Sequence, residues 1–276
     1  MKLGTFMEQL DSAVALKEVK DVSAFLDTLV PMGLSFVDVS TNDVKERPPR
    51  YLLELLQEKG VYIQSVFHLF AFDNVDEKKL EQFQEQTKQN LELCCQLGAK
   101  MYMPVPVVNI EHEDRRSFLD MRKRFAQYLF DTEKLGNACG VQTVLENFSS
   151  RKNPNATVED IAYLLDEVYN VKYVLDTGNY WFTEDNVLVA TEKFLSRTVH
   201  IHLKDIQASA TGRLHIGKKK GESVAIGEGE TPIRDVLKIL QKSGYQGGLT
   251  VEINHAEKLS CEIATSLENI KNMLKD

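Results

Sequence analysis

No run in this 276-residue chain approaches the roughly 18 consecutive apolar residues that a membrane-spanning helix needs, so the apolar content is laid out for a water-exposed fold. The opening Met1-Lys2-Leu3-Gly4-Thr5-Phe6 lacks the apolar core of a secretory signal, and the expectation is a soluble cytoplasmic protein with no membrane partner. Cysteine is scarce. Cys94, Cys95, Cys139 and Cys261 make no C-x-x-C pair, which argues against zinc ribbons and dithiol redox chemistry and fits free thiols in a reducing compartment. An excess of basic residues is also missing: 33 Lys and Arg face 41 Asp and Glu, for a net charge of -8. That balance disfavours nucleic acid, whose non-specific binding rests on clustered positive charge. Finally, no Pro/Gly/Ser-rich linker and no low-complexity tract interrupts the chain. Residues 1–276 therefore read as a single domain, with a homo-oligomer left open.

What the chain does contain is an alternation of short apolar segments with amphipathic stretches of helical length, the pattern of parallel strands joined by crossover helices. Eight such units can be counted, with strands expected at 2–6, 34–39, 61–67, 100–107, 141–147, 171–176, 199–204 and 248–253. Most are near-continuous apolar runs, as expected when helices cover one face and side chains fill the other. Helical stripes recur in Leu52, Leu55 and Leu56, in Ile233, Val236, Leu237 and Leu240, and in Ile263, Leu267, Ile270 and Leu274. Thr157 with Asp160 three residues on, and Thr231 before Pro232, mark helix starts. Eight units in a chain near the usual length of about 250 residues favour an α/β fold of the (β/α)8 TIM-barrel type over an open doubly wound sheet. The segment 206–230 shows no regular pattern.

Sites in such barrels lie at the carboxyl ends of the strands. The late strands end in Glu146, Asp176, His202 and Glu252. Three carboxylates crowded at one rim would repel one another and pick up protons unless a cation neutralised them. Any one of these residues alone would read as a strand-end cap. Four in register point to one divalent metal ion, and three oxygens with one nitrogen suit Mn2+, Mg2+ or Co2+, with Zn2+ also compatible.

The pieces Val144-Leu145-Glu146-Asn147, Val174-Leu175-Asp176-Thr177-Gly178-Asn179, His200-Ile201-His202-Leu203-Lys204-Asp205, Ile226-Gly227-Glu228-Gly229-Glu230 and Thr250-Val251-Glu252-Ile253-Asn254 resemble the xylose-isomerase-like barrels, which include sugar isomerases, ketose epimerases, inosose dehydratases and endonuclease IV. The resemblance implies that Glu146, Asp176, His202 and Glu252 are metal ligands, and that Glu146 and Glu252 also exchange the substrate's proton. The implied function is a metal-dependent sugar or sugar-phosphate isomerase or epimerase working through an enediolate, since a metal stabilises the charge formed when the carbon-bound proton leaves. An inosose-type dehydratase is the alternative, and a non-catalytic carbohydrate-binding barrel the rival from another class. Departures from the family pattern weigh against two branches. Asn179, Lys152 and Ala208 stand where ketose 3-epimerases carry His, Glu and Arg, and Ser223, Val224 and Ala225 replace the Asp-Arg-His triplet of endonuclease IV.

Four further residues are candidates for contacting a small sugar or polyol substrate. His68 ends the third strand and either faces the substrate or is a hydrogen-bonded rim residue. Lys204 shares a face with His202 and either reaches a substrate oxygen or pairs with a carboxylate such as Glu146. Asn179 follows the strand-six Asp. Trp181, with Phe182, either walls the sugar or packs against neighbouring loops. His200 should lie one layer below His202 in a supporting role. Lys218, Lys219 and Lys220 read as solvated charge or as a phosphate contact. His112, His215 and His255 receive no role.

Overall fold

The computed structural model describes residues 1–217, 219–254 and 258–275. Eight parallel strands close into a barrel in the order β1 (Lys2–Phe6), β11 (Gly248–Val251), β7 (Thr198–Leu203), β6 (Lys172–Asp176), β5 (Gln142–Glu146), β4 (Met101–Val107), β3 (Tyr62–Ala71) and β2 (Leu34–Ser40). Every strand lies within a residue or two of its expected position except β3, which runs on to Ala71. There it stays paired with β4 through Ala71 and Val107, so these two strands stand above the rest of the rim.

The connecting helices are α1 (Met7–Ala15), α2 (Val22–Leu29), α3 (Asp43–Glu46), α4 (Pro49–Glu58), α5 (Glu77–Leu97), α6 (Arg115–Cys139), α7 (Val158–Glu167), α8 (Thr177–Thr183), α9 (Val187–Phe194), α10 (Ile233–Ser243) and α11 (Leu259–Met273). Among the described residues, none of them is long and apolar enough to cross a membrane. Their buried stripes are the expected ones, including Leu52 and Leu56 on α4 and Val236, Leu237 and Leu240 on α10. Thr157 caps α7 in a reciprocal box with Asp160. At α10 the helix starts one residue later than expected, with Pro232 as the cap. Thr231 instead accepts a hydrogen bond from the Ile206 backbone through Oγ1 and donates its own N–H to Asp205.

The segment between β7 and α10 is not irregular. It folds into a three-stranded antiparallel sheet of β8 (Asp205–Ala208), β9 (Leu214–Ile216) and β10 (Lys219–Val224), with β10 in the middle. Its strands are short, and the residues that β10 buries are Gly221 and Ser223, so it carries no apolar alternation in the sequence.

Two separate apolar cores follow from the strand alternation. Outward-facing residues pack with the helices, while Phe6, Phe67, Met101, Met103, Val105, Val144 and Val174 form a second cluster inside the barrel. Phe36 also lies inside, with its ring against that of His200, and a polar layer accompanies it. Asp38 of β2, fully buried, accepts hydrogen bonds from Ser65 Oγ at 2.5 Å, Thr250 Oγ1 at 2.5 Å and His200 Nε2 at 2.9 Å. Glycine at 248 makes room for this layer, because a Cβ there would lie 2.8 Å from both His200 Nδ1 and Phe36 Cζ. Burial alone would raise the Asp38 carboxyl, but His200, His202 and Ser65 outweigh it and hold it down at about 2.

Asp38→Asn should therefore turn an amide NH2 toward groups that donate, at a cost of about 2–4 kcal/mol in urea unfolding at neutral pH. Because the folded carboxyl is depressed, its contribution is complete above the ordinary carboxylate range and fades as pH falls through about 2. The deficit of the variant should shrink in acid, and a variant as stable as wild type at pH 7 would refute this account.

Candidate metal centre

Strand register assembles the centre. Asp176 of β6 and Thr250 of β11 both lie level with His202 of β7, and Glu252 follows directly after β11, with its N–H bonded to the Leu203 carbonyl. Glu146 ends β5. One ligand atom from each of Glu146, Asp176, His202 and Glu252 lies within 4.8 Å of every other. Asp176 and His202 are fully buried, Glu146 is buried and Glu252 is half-buried. The four residues expected from the strand ends are thus brought together.

His202 Nδ1 is hydrogen-bonded to Glu146 Oε1 and lies 3.8 Å from Glu252 Oε2. Its Nε2 has no hydrogen-bond partner, and Asp38 Oδ2 is 3.8 Å away. Asp176 accepts the Asn179 N–H on Oδ1 at 2.8 Å, which caps α8. Lys204 is a fifth member. Its Nζ lies 2.5 Å from Glu252 Oε1 and 3.0 Å from Asp176 Oδ2, so it pairs with these two carboxylates rather than making its closest contact with Glu146.

The buried charges of the cluster act strongly on one another. Burial pushes Asp176 up, Lys204 opposes, Glu252 and Glu146 add to the rise, and the outcome is about 7. For His202 burial would lower the imidazole, but Glu146, Asp38 and Glu252 carry it to about 9. Burial would raise Glu252, yet Lys204 and His202 bring it below the usual carboxylate range. Three carboxylates, one ammonium and a divalent ion sum to zero charge with a neutral imidazole, so the donor set fits such an ion. Asp38, His200 and His202 form a second close group. There the Asp38 oxygens already accept three hydrogen bonds, which makes it a supporting layer beneath the centre.

Asn147, buried and next to Glu146, is a support that the sequence reading passed over. Its Oδ1 accepts from the Asp176 N–H at 2.9 Å and from Tyr173 OH at 2.7 Å, its Nδ2 donates to the Asp176 carbonyl at 2.9 Å, and its carbonyl accepts from Asn179 Nδ2 at 2.8 Å. One amide thereby locks the ends of β5 and β6 together. Glu8 was also passed over. It follows β1, which lies between β11 and β2; the residue is exposed, and partial loss of hydration with nearby Asp43 and Glu252 pushes its carboxyl up. An acidic residue two positions past a strand end was the available signal.

The other candidates separate. Asn179 Oδ1 accepts from Lys204 Nζ at 3.1 Å, which places both at the cluster. His68 is not brought there. On β3 it shares the parity of Val66 and Phe70, which pack outward, its Nδ1 lies 3.0 Å from Thr41 Oγ1, and its ring stacks on Phe70. Trp181 is likewise elsewhere: its Nε1 donates to Glu230 Oε2 at 3.2 Å and the Lys219 ammonium sits 4.3 Å over its ring. It fastens α8 to the small sheet. Lys219 also donates to the Trp181 carbonyl at 2.6 Å. Lys218 and His255 lie outside the described residues. His200 occupies the supporting layer, as expected.

With this geometry in hand, comparison with known proteins is informative. The sequence profile of the xylose isomerase-like TIM barrel family matches residues 26–273. This chain belongs to that family. An inosose dehydratase of Yersinia enterocolitica is 25% identical over 251 residues, covering 83% of this chain and 82% of that protein. The solved structure of an IolI protein with a bound zinc atom superposes with a TM-score of 0.80 at 20% identity, covering 100% and 98% of the two chains. A D-allulose 3-epimerase from Methylomonas sp. gives 0.75 at 16% identity, covering 99% and 98%. At these identities the two structures establish the fold.

A divalent ion must displace the protons that Asp176 and His202 hold, so Mn2+ affinity should climb as pH rises from about 6 to about 9. Elemental analysis after Mn2+ loading and desalting should find about one ion per chain in wild type and none in His202→Ala. Equal metal in both would place the ion elsewhere.

Proposed function

We propose that the protein is a divalent-metal-dependent enzyme that moves a proton on a carbon next to a carbonyl of a small sugar or polyol, and so isomerises or epimerises it through an enediolate. The observation that carries this reading is the convergence of Glu146 and Glu252, from strands on either side of β6 and β7, onto His202 and Asp176. A bound dication supplies the positive charge that stabilises an enediolate. The protein's own groups supply the rest. Glu146 and Glu252 remove and return the proton, Asn147 and the Asp38 layer hold the ligands in place, and the barrel wall keeps the carboxylates out of bulk water. Lys204 and Asn179 are the substrate-side polar groups. Mn2+, Mg2+, Co2+ and Zn2+ all suit the donors.

A second reading, dehydration, is favoured by the similarity to an inosose dehydratase across 83% of the chain. Asn179, Lys152 and Ala208, in place of the residues that ketose 3-epimerases carry, weigh in the same direction. The same proton abstraction leads to loss of water when a hydroxyl stands beta to the carbanion. The retained pair of glutamates in a buried, charge-balanced cluster speaks against a barrel that only binds carbohydrate.

The deciding experiment incubates Mn2+-loaded protein with ketoses and keto-polyols in D2O and follows the products by mass. Deuterium on carbon with the rest of the formula intact supports isomerisation, whereas loss of one water supports dehydration. A substrate turned over with neither deuterium on carbon nor loss of water would rule out both. Glu146→Gln and Glu252→Gln should each lower turnover by about 10²–10⁴-fold with circular dichroism unchanged.

A further inference from the structure

Lys204 raises a question that the metal reading leaves open: why a lysine is buried among the ligands at all. Asp176 Oδ1 is already engaged by the Asn179 N–H, so Oδ2 is the oxygen it can offer an ion, and Oδ2 is the one 3.0 Å from the Lys204 ammonium. Glu252 is divided in the same manner, with Oε1 on Lys204 at 2.5 Å and Oε2 toward His202. The placement is built in. Thr177 Oγ1 accepts from the Lys204 N–H and donates to the Lys204 carbonyl, each at 2.9 Å. Position 178 has to be glycine for the stem to pass, since a Cβ there would lie 2.5 Å from Lys204 Cγ and 2.8 Å from its Cβ and Cδ.

We propose that Lys204 is the resident counter-cation of the centre, which holds Asp176 and Glu252 while no ion is bound and yields Asp176 Oδ2 to an arriving divalent ion. The inference rests on the metal-centre reading above. Carboxylates gathered in a poorly hydrated cavity need a neutralising charge at all times, and the lysine provides it before metal loading. An ammonium and a dication claim the same oxygen and repel each other, so occupancy by one weakens the other. The four-carbon stem lets the ammonium withdraw along Asn179, whose Oδ1 already accepts from it at 3.1 Å. Metal-free protein thereby stays folded, and a weakly held ion is turned away.

The test is calorimetric titration of wild type, Lys204→Met, Lys204→Arg and Gly178→Ala with Mn2+, together with thermal unfolding with and without Mn2+. Lys204→Met should unfold at a lower temperature without metal, gain more than wild type when Mn2+ is added, and bind Mn2+ about tenfold or more tightly. Lys204→Arg, which keeps the charge, should not show that gain. Gly178→Ala keeps the lysine but pushes its stem aside, and it too should bind Mn2+ more tightly than wild type. Mn2+ affinity in Lys204→Met equal to or below that of wild type would overturn the proposal. If Lys204→Met does not fold, unchanged affinity in Gly178→Ala overturns it instead. Wild type that takes up no Mn2+ removes the metal-centre reading itself, and this inference with it.

Discussion

Like charges brought together away from water dominate this molecule. Glu146, Asp176 and Glu252 close on one another at the end of a sealed barrel, and almost every neighbouring feature answers the repulsion among them. His202 and Lys204 carry positive charge into the cluster, the Asn179 N–H and Asn147 fix Asp176, and Lys204 ties Glu252. Remove that constraint and much of the surrounding chemistry loses its reason: a buried lysine, a glycine cleared for its stem, and an asparagine that satisfies two strand ends.

The interior of the barrel is divided to serve the same end. On the side of β4, β5 and β6 it is filled by methionines and valines, while Asp38, Ser65, His200 and Thr250 make a hydrogen-bonded layer on the side of β2, β3, β7 and β11. The polar layer lies under His202, where an apolar floor would leave the imidazole without an electrostatic partner on its inner side. Phe6 closes the remaining face, ring against ring with His202 at 4.9 Å. A charged rim of this kind depends on residues that never reach it.

Much of this was legible in the chain itself. Strand ends betray themselves because a charged residue after an apolar run has to face a rim, and for Glu146, Asp176, His202 and Glu252 that logic led to one place. The barrel followed from counting apolar segments against helical stripes. What escaped notice had physical causes. The small sheet of β8 to β10 buries Gly221 and Ser223 on its middle strand and so shows no apolar period, and β3 outruns its expected end because only its pairing with β4 supports the extra residues. His68 takes the hydrogen-bonded of its two readings, a choice of face that depends on a register set by a bulge between β2 and β3. Trp181 was drawn to the small sheet by Glu230 and Lys219, neither of which could be placed before that sheet was known. Asp38 and Asn147 looked like ordinary strand residues, because their value lies in partners far away in sequence.

Asp205 fixes the root of the segment that follows β7. Its carboxylate accepts the N–H groups of Gly227, Gly229 and Thr231 at 2.8–3.0 Å, so the chain that departs after β7 is stitched shut at the point where it returns. The small sheet lies between those two ends and is held a second time where Lys219 meets Trp181 of α8. A segment tied at its root in this way can vary in length and sequence at little cost to the placement of His202 and Glu252, which stand on the barrel strands rather than on it.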